Sequence, residues 1–461
     1  MNYDVLILGG GLVGCSIAYE LSKYNLNIAL IEKNYDIADE IELNNTSIVF
    51  SGLENKDQFT SQLEVEGNCA IENIARKFNV PFKRKPSIIV SEDENYIDEL
   101  YSNLSIYNKG KCRILDRQDI SNIEPSLLKA TKALYIENTA VISPYDLAIS
   151  YGEVAFDNNV NFKLEEEVID ITKESKGFKV ITNKNKFTCR IVVNTTQRYD
   201  FSIDNLENRL ETNCSSRKIK YFCANKDANI DYSNIIFNLG LQEDKIIFPG
   251  LDNETIGAII THETIDNGTV LERFKDIMRN INSNFIKTFY EGTYNENPYK
   301  IQFESEESAY IKISDKHYAI VTMVPAISRI VCENVINIMN CSIKKDFIDK
   351  RREFYRFREL SNEERNEIIK LNSQYGNIIC NCEKVTEGEI IDSIRRPLGA
   401  RTLEGVKRRT GAAFGRCQGS QCLNKILFIL ARETNRPLTT IVKDSKNSNV
   451  LLGRIKEFDT M

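Results

Sequence analysis

Two sets of residues in this sequence have the types and spacing to do chemistry. One is Gly9-x-Gly11-x-x-Gly14 followed by Glu32, and the other is Cys380-x-Cys382 with Cys417-x4-Cys422. Each glycine removes a Cβ where the backbone must turn, approach a phosphate or pack on a strand, and the acid lies near the spacing for accepting hydrogen bonds from a ribose. The set predicts a seat for the diphosphate of a dinucleotide, without deciding between FAD and a nicotinamide. Four thiolates are what an iron–sulfur cluster or a structural zinc requires, and C-x-C is short for zinc, whose paired cysteines favour two to four intervening residues.

Both sets need elements to position them. Val5-Leu6-Ile7-Leu8-Gly9 is an apolar run of strand length, the helix after it carries Ile17, Ala18 and Leu21 on its apolar face, and a second strand, Ile28 to Ile31, ends in Glu32. The free N–H groups and positive end of that helix would meet the diphosphate. Around the cysteines, Thr386-x-x-Glu389 is a capping box, Pro397 and Gly399 stop the helix, and Thr402 to Arg409 forms another. Cys422 would open a helix running to Ala431, whose dipole favours an anionic cluster, and Gly415 and Gly419 free backbone N–H groups for sulfur.

The rest of the chain interleaves helical and strand patterns. A polar segment with Asn45-Thr46-Ser47 precedes a helix from Ser61 to Lys77; Ser87 to Val90 reads as a strand, and Ser143-Pro144-Tyr145-Asp146 opens a helix ending near Asp157. Strand patterns recur at Val160 to Leu164, Glu167 to Ile171, Ile191 to Asn194, Lys245 to Phe248 and Thr255 to Ile260, whereas Val270 to Phe289 reads as helix. The expectation is an α/β fold: a nucleotide-binding domain interrupted by a second, mostly antiparallel sheet. Lys344 to Lys370 is densely charged and reads as a solvated helical connector.

At 461 residues, two or three domains are expected. From Gly376 onward 15 basic face 9 acidic residues, a balance of +6, which leaves −12 for the preceding part of a chain whose net charge is −6. That balance gives no reason to expect nucleic acid. No run approaches a transmembrane helix and the first apolar stretch lacks a basic leader, so a cytoplasmic protein with reduced thiols is expected, without an integral membrane segment. Eight of its twelve cysteines are scattered singly and read as small buried hydrophobes. Arg395, Arg396, Arg401, Arg408 and Arg409 read as offsetting a cluster's charge, as facing an acidic partner, or as solubilising surface.

The segment from Tyr375 to Cys422 resembles the bacterioferritin-associated ferredoxin type of 2Fe–2S domain, in the form fused behind FAD-dependent dehydrogenases. That resemblance implies a small all-α iron–sulfur domain with one 2Fe–2S cluster on Cys380, Cys382, Cys417 and Cys422. The first 345 or so residues resemble the D-amino-acid-oxidase-like superfamily, in particular the large subunit of anaerobic-type glycerol-3-phosphate dehydrogenase. The matching pieces are the glycine unit with Glu32, Asn45-Thr46-Ser47, Leu63 to Asn68, Val80 to Arg84, Ser143 to Asp146 and Glu167-Val168. The resemblance implies a Rossmann-like FAD-binding domain holding FAD through Gly9, Gly11, Gly14, Glu32, Thr46 and Ser47, with the Val168 backbone at the adenine.

Three passages depart from that family. Phe50-Ser51-Gly52-Leu53-Glu54 lacks the histidine usual beside the flavin, Asn194-Thr195-Thr196-Gln197 replaces an Asn-Ala-Ala-Gly strand end, and Tyr318 to Ala326 contains no glycine. The arginine expected before the last passage is also absent, Phe303 to Glu306 being acidic. His262 and His317, the two histidines of the chain, are the available general bases, and neither sits in a catalytic motif, so no catalytic residue is assigned.

The expected organisation is residues 1–345 as oxidoreductase, with nucleotide-binding parts about 1–80, 145–215 and 310–345 and cap parts 81–144 and 216–309. A charged helical linker follows at 346–375, then the cluster domain at 376–440 and a tail at 441–461. The expected function is an FAD- and 2Fe–2S-dependent dehydrogenase component acting on a small hydroxy or amino acid or glycerol 3-phosphate. Electrons would pass through the cluster to a redox partner subunit or acceptor, and any membrane association would come through that partner. The alternative is an electron-transfer or scaffolding subunit that keeps the cluster and has lost dehydrogenase chemistry.

Overall fold

A computed structural model describes residues 2–39, 47–52, 57–107, 111–125, 127, 130–196, 198, 200–204, 216–225, 232–251, 254–275, 277–278, 281, 283–295, 298–304, 309–313 and 317–453. The strand Asn2–Leu8 lies at the centre of the first sheet, parallel to Ile28–Ile31 on one side and to Lys186–Asn194 on the other. Tyr310–Ile313 extends the parallel set beyond Lys186–Asn194, and Asn161–Lys163 extends it beyond Ile28–Ile31. Val5, Leu6, Ile7 and Leu8 are fully buried, the result of an unbroken apolar run covered on both faces. Helices Leu12–Ser22, Pro144–Asp157 and Ile320–Met339 pack on one face through Ile17, Leu21, Leu147, Val154, Val324 and Val331. On the other face the antiparallel strands Val168–Glu174 and Gly177–Thr182 contribute Ile171, Phe178 and Val180 to a second core with Leu6 and Leu8.

Among the described residues Ile320–Met339 is the one helix long and apolar enough to cross a membrane, and its apolar face from Val321 to Val335 is buried in this core. Helix Gln58–Lys77 crosses it so closely that a Cβ on Gly67 would lie 1.8 Å from the Thr322 carbonyl oxygen.

A second eight-stranded sheet stands over the first unit, running from Ile286–Asn295 at one edge to Cys112–Asp116 at the other. Its pairings are antiparallel except where Ile235–Leu239 runs beside Ser87–Ser91. Ile219, Tyr221, Phe237 and Phe248 share a core with Phe50 from the first unit, while Phe222 and Ala224 point the other way, under helix Asn267–Phe274. The helical reading of Val270 to Phe289 is corrected here: the helix ends at Phe274, and Ile286–Asn295 is an edge strand paired with Ser216–Ala224. The β-branched and aromatic residues Ile286, Thr288, Phe289 and Tyr290 fit a pleated surface, and pairing decides their conformation.

The C-terminal unit packs helices Glu387–Arg395, Leu403–Thr410 and Leu423–Thr434 around Ile390, Ile394, Val406, Ile426 and Leu430. It is helical apart from the short hairpin of Ile378–Cys380 with Val385–Thr386. The charged connector is only in part the solvated helix its composition suggests, since in Asn362–Leu371 Ile368 alone is buried. Residues 344–356 carry no helix, and the first α-helix after Met339 is Asn362–Leu371. Arg351 is buried there between Asp146 and Glu153 of helix Pro144–Asp157, at 2.9 and 2.6 Å.

Candidate cofactor sites

The turn after the first strand is built for close approach. Gly9 has a φ of +102°, and a Cβ there would lie 2.7 Å from the Thr195 hydroxyl oxygen. A Cβ on Gly14 would lie 2.0 Å from the Gly9 carbonyl oxygen, whereas Gly11 has open space in front of it. Gly11 is also the N-cap of helix Leu12–Ser22; no side chain caps it, and the first turn carries no acid. Orphan N–H groups and the positive helix end are thus left for an anion.

This turn forms one wall of a cavity of about 800 Å³, lined also by Glu32, Asn34, Asp39, Val168, Thr195 and Arg198, and reaching Lys218, Glu291 and Thr293 of the second sheet. A volume near the upper end of the usual range for ligand pockets suits a large cofactor. Glu32 lies folded under the glycine turn, accepting from the Gly10 N–H at 2.6 Å and the Asn34 N–H at 2.8 Å. A carboxylate at this position is an acceptor of the kind a ribose hydroxyl requires. The Val168 carbonyl accepts from Arg198 at 2.6 Å, and the Arg198 guanidinium lies 4.7 Å from the Phe201 ring centroid. Arg198 is a wall residue that the sequence reading missed; nothing in its local pattern distinguishes it from other surface arginines. The structure therefore brings together Gly9, Gly11, Glu32 and Val168, with Gly14 behind the turn. Ser47, at φ +61°, instead gives its carbonyl to the Ile142 N–H and is not among the described lining residues. Thr46 lies outside the described residues.

The polar residues at the strand end line the cavity, with their hydroxyls tied to groups of the first sheet. The Thr195 hydroxyl donates to the Leu8 carbonyl at 2.8 Å, and the Thr196 N–H and hydroxyl donate to Asn194 Oδ1 at 2.9 and 2.7 Å. Phe50 is held in the core, its N–H donating to the Thr322 hydroxyl at 2.9 Å and its carbonyl accepting from Asn68 at 2.6 Å. Neither histidine is among the described lining residues. His262 is exposed; His317 is buried beside Tyr299 and Tyr318, its Nδ1 accepting from the Ala319 N–H at 3.2 Å. Burial lowers the His317 imidazole to about 4, against an opposing pull from Asp57, so it is neutral near neutral pH.

The four cysteines converge in the C-terminal unit. The Cys382 thiol interacts electrostatically with Cys417, and Cys422 with both Cys380 and Cys417, so the four sulfurs are neighbours. Cys380 and Cys422 are buried, Cys417 is half-buried and Cys382 exposed. Backbone groups of Gln421 and Gly419 beside Cys417, and of Ala413 beside Cys422, favour the thiolate form of each. A Cβ on Gly415 would lie 2.3 Å from that of Cys382, so glycine there lets the two loops meet. Four cysteine thiols with backbone groups beside them are the donor set that an iron–sulfur cluster requires.

Three of the five arginines assigned to surface or partner face neither. Arg396 pairs with Glu153 at 2.9 Å, Arg408 with Asp39 at 2.6 Å, and Arg409 with Asp36 at 2.6 Å, joining the positive unit to the negative body. Burial raises the Glu153 carboxyl, but the Arg351 and Arg396 guanidiniums outweigh it and hold the group below the ordinary carboxylate range.

Comparison with known proteins identifies the family of each part. Residues 4–278 match the family described as FAD dependent oxidoreductase, and residues 378–432 match the BFD-like [2Fe-2S] binding domain. A glycerol 3-phosphate dehydrogenase of Caloramator mitchellensis is 32% identical over 98% of this chain and 99% of its own length. The fold is similar to that of an FAD-bound L-α-glycerophosphate oxidase from Mycoplasma pneumoniae, with a TM-score of 0.66, 20% identity and coverage of 77% of this chain and 100% of that one. It is also similar to an L-proline dehydrogenase from P. horikoshii, with a TM-score of 0.62, 17% identity and coverage of 74% and 94%. The glycine cradle, the cavity and the four neighbouring thiols fit the groups these matches imply, and the chain belongs to the family of FAD-dependent oxidoreductases, with a BFD-like 2Fe–2S domain at its C-terminal end.

Proposed function

We propose that this oxidoreductase is the dehydrogenase component of a redox system, oxidising glycerol 3-phosphate or a similarly small hydroxy or amino acid and passing the electrons out through its cluster. The observation that carries this reading is the pairing, in one chain, of a dinucleotide cavity with a set of four thiols, together with full-length similarity to a glycerol 3-phosphate dehydrogenase. When bound, FAD supplies a two-electron acceptor and a 2Fe–2S cluster a one-electron carrier. The residues proposed to hold FAD are Gly9, Gly11, Gly14 and Glu32, with Thr46 and Ser47 carried over from the family and the Val168 backbone at the adenine. Gly11 and the uncapped helix end bind the diphosphate, and Glu32 orients the ribose. Cys380, Cys382, Cys417 and Cys422 are the proposed cluster ligands, and their N–H donors hold charge on the sulfurs. The exposure of Cys382 supports an outlet at the surface, where a redox partner would approach.

A second reading, a subunit that carries electrons without dehydrogenase chemistry, is favoured by one observation: neither histidine lines the cavity among the described residues. Anaerobic titration with glycerol 3-phosphate separates the two. The first reading predicts bleaching of the flavin band followed by reduction of the cluster, with the second phase lost in Cys417→Ser; absence of bleaching with glycerol 3-phosphate and with small hydroxy and amino acids contradicts it.

A further inference from the structure

The turn Asp36 to Asp39 lies between the dinucleotide cavity and the iron–sulfur unit and touches both. On one side the Ala38 N–H donates to the Gly10 carbonyl at 2.9 Å, and Asp39 lines the dinucleotide cavity. On the other side Asp36 receives both terminal nitrogens of Arg409, at 2.6 and 2.7 Å, and Asp39 receives Arg408 at 2.6 Å. Arg408 also reaches Asp36 at 3.3 Å. The paired side chains are almost sealed from solvent: Asp36 is 2% exposed, Arg408 5% and Arg409 4%. The apolar residues between the acids, Ile37 and Ala38, are fully buried. Helix Leu403–Thr410 sits so close that a Cβ on Gly405 would lie 2.5 Å from the Asp36 carboxylate.

Two carboxylates beside a cavity made for a diphosphate are an electrostatic liability, because like charges repel most where water is excluded. Here the countercharges come from the other domain. We propose that the iron–sulfur unit completes the dinucleotide site: Arg408 and Arg409 are positioning residues that neutralise Asp36 and Asp39 and hold their turn beneath the glycine loop, so that FAD retention depends on docking of this unit. The bidentate fork of Arg409 fixes orientation as well as charge, which a lysine cannot reproduce.

The test titrates FAD into flavin-stripped full-length protein and follows quenching of flavin fluorescence. In Arg408→Gln/Arg409→Gln the Kd for FAD should rise roughly 10- to 100-fold, the scale of losing charge-assisted hydrogen bonds that position a site. Iron and acid-labile sulfide per chain should stay at the wild-type level, which separates this effect from collapse of the cluster unit. Arg409→Lys keeps the charge and should raise the Kd by a smaller factor; should the double variant not fold, this single variant carries the test. Linkage makes the coupling reciprocal, so FAD should also slow protease cleavage of the 344–361 connection. An FAD Kd within about twofold of wild type in the folded variants, or a cleavage rate indifferent to FAD, overturns the proposal.

Discussion

Single atoms decide the cofactor sites. A methyl group on Gly14 would meet the Gly9 carbonyl oxygen at 2.0 Å, and that oxygen is backbone with no freedom to move aside. Gly14→Ala should therefore displace the helix from the turn, cost about 1–3 kcal/mol of stability and lower FAD bound per chain, measured from flavin absorbance against protein; full retention of FAD would contradict the cradle. His317 gives a pH dependence whose sign follows from its depressed pKa. It is neutral in both states above its ordinary value of 6.5, and between 6.5 and about 4 only the unfolded chain takes up the proton, so stability falls as pH falls and levels off below that window. Wild type should lose about 2 kcal/mol more than His317→Gln between about pH 7 and about pH 5 in urea unfolding, and parallel profiles would show that its burial carries no cost. The glycines and cysteines were legible in the sequence because the Gly9-x-Gly11-x-x-Gly14 run and each cysteine pair are defined by spacing within one or two turns of chain. Arg409 and Asp36 were not, because 373 residues separate them and only the docked fold makes them neighbours.

At the scale of elements, helix Pro144–Asp157 joins body, connector and cluster unit. Its Glu153 receives Arg351 at 2.6 Å and Arg396 at 2.9 Å, and its Asp146 receives Arg351 at 2.9 Å and Arg356. Phe354 stacks among the same three guanidiniums, 4.4 to 5.1 Å from its ring centroid. Removing one charge from such a buried set leaves the others uncompensated, so Glu153→Gln should destabilise the protein by about 3–5 kcal/mol. A urea midpoint indistinguishable from wild type would show that the network is not closed in solution. The capping box at Thr386 and Glu389 was readable because it is local, and both its hydrogen bonds form. The end of the helix at Phe274 was not, since the apolar pattern from Val270 to Phe289 suits a helix or an edge strand, and pairing with Ser216–Ala224 decides. The charged connector misleads for a related reason: composition counts arginines, and burial depends on the carboxylates they meet.

Over the whole molecule, the opposed charges of body and tail become an internal interface. The three arginines that pair with Asp36, Asp39 and Glu153 are drawn from the +6 tail, and the acids they meet belong to the −12 body. Two redox sites are thereby fixed against each other in one chain, the arrangement a dehydrogenase needs if electrons are to leave by a route other than its substrate site. The most direct test of that account is cofactor stoichiometry on anaerobically purified protein, with acid-released FAD quantified beside iron and acid-labile sulfide. About one FAD, two irons and two sulfides per chain is the predicted result. Iron and sulfide without FAD would contradict it, leaving a chain that holds a cluster and an empty flavin site.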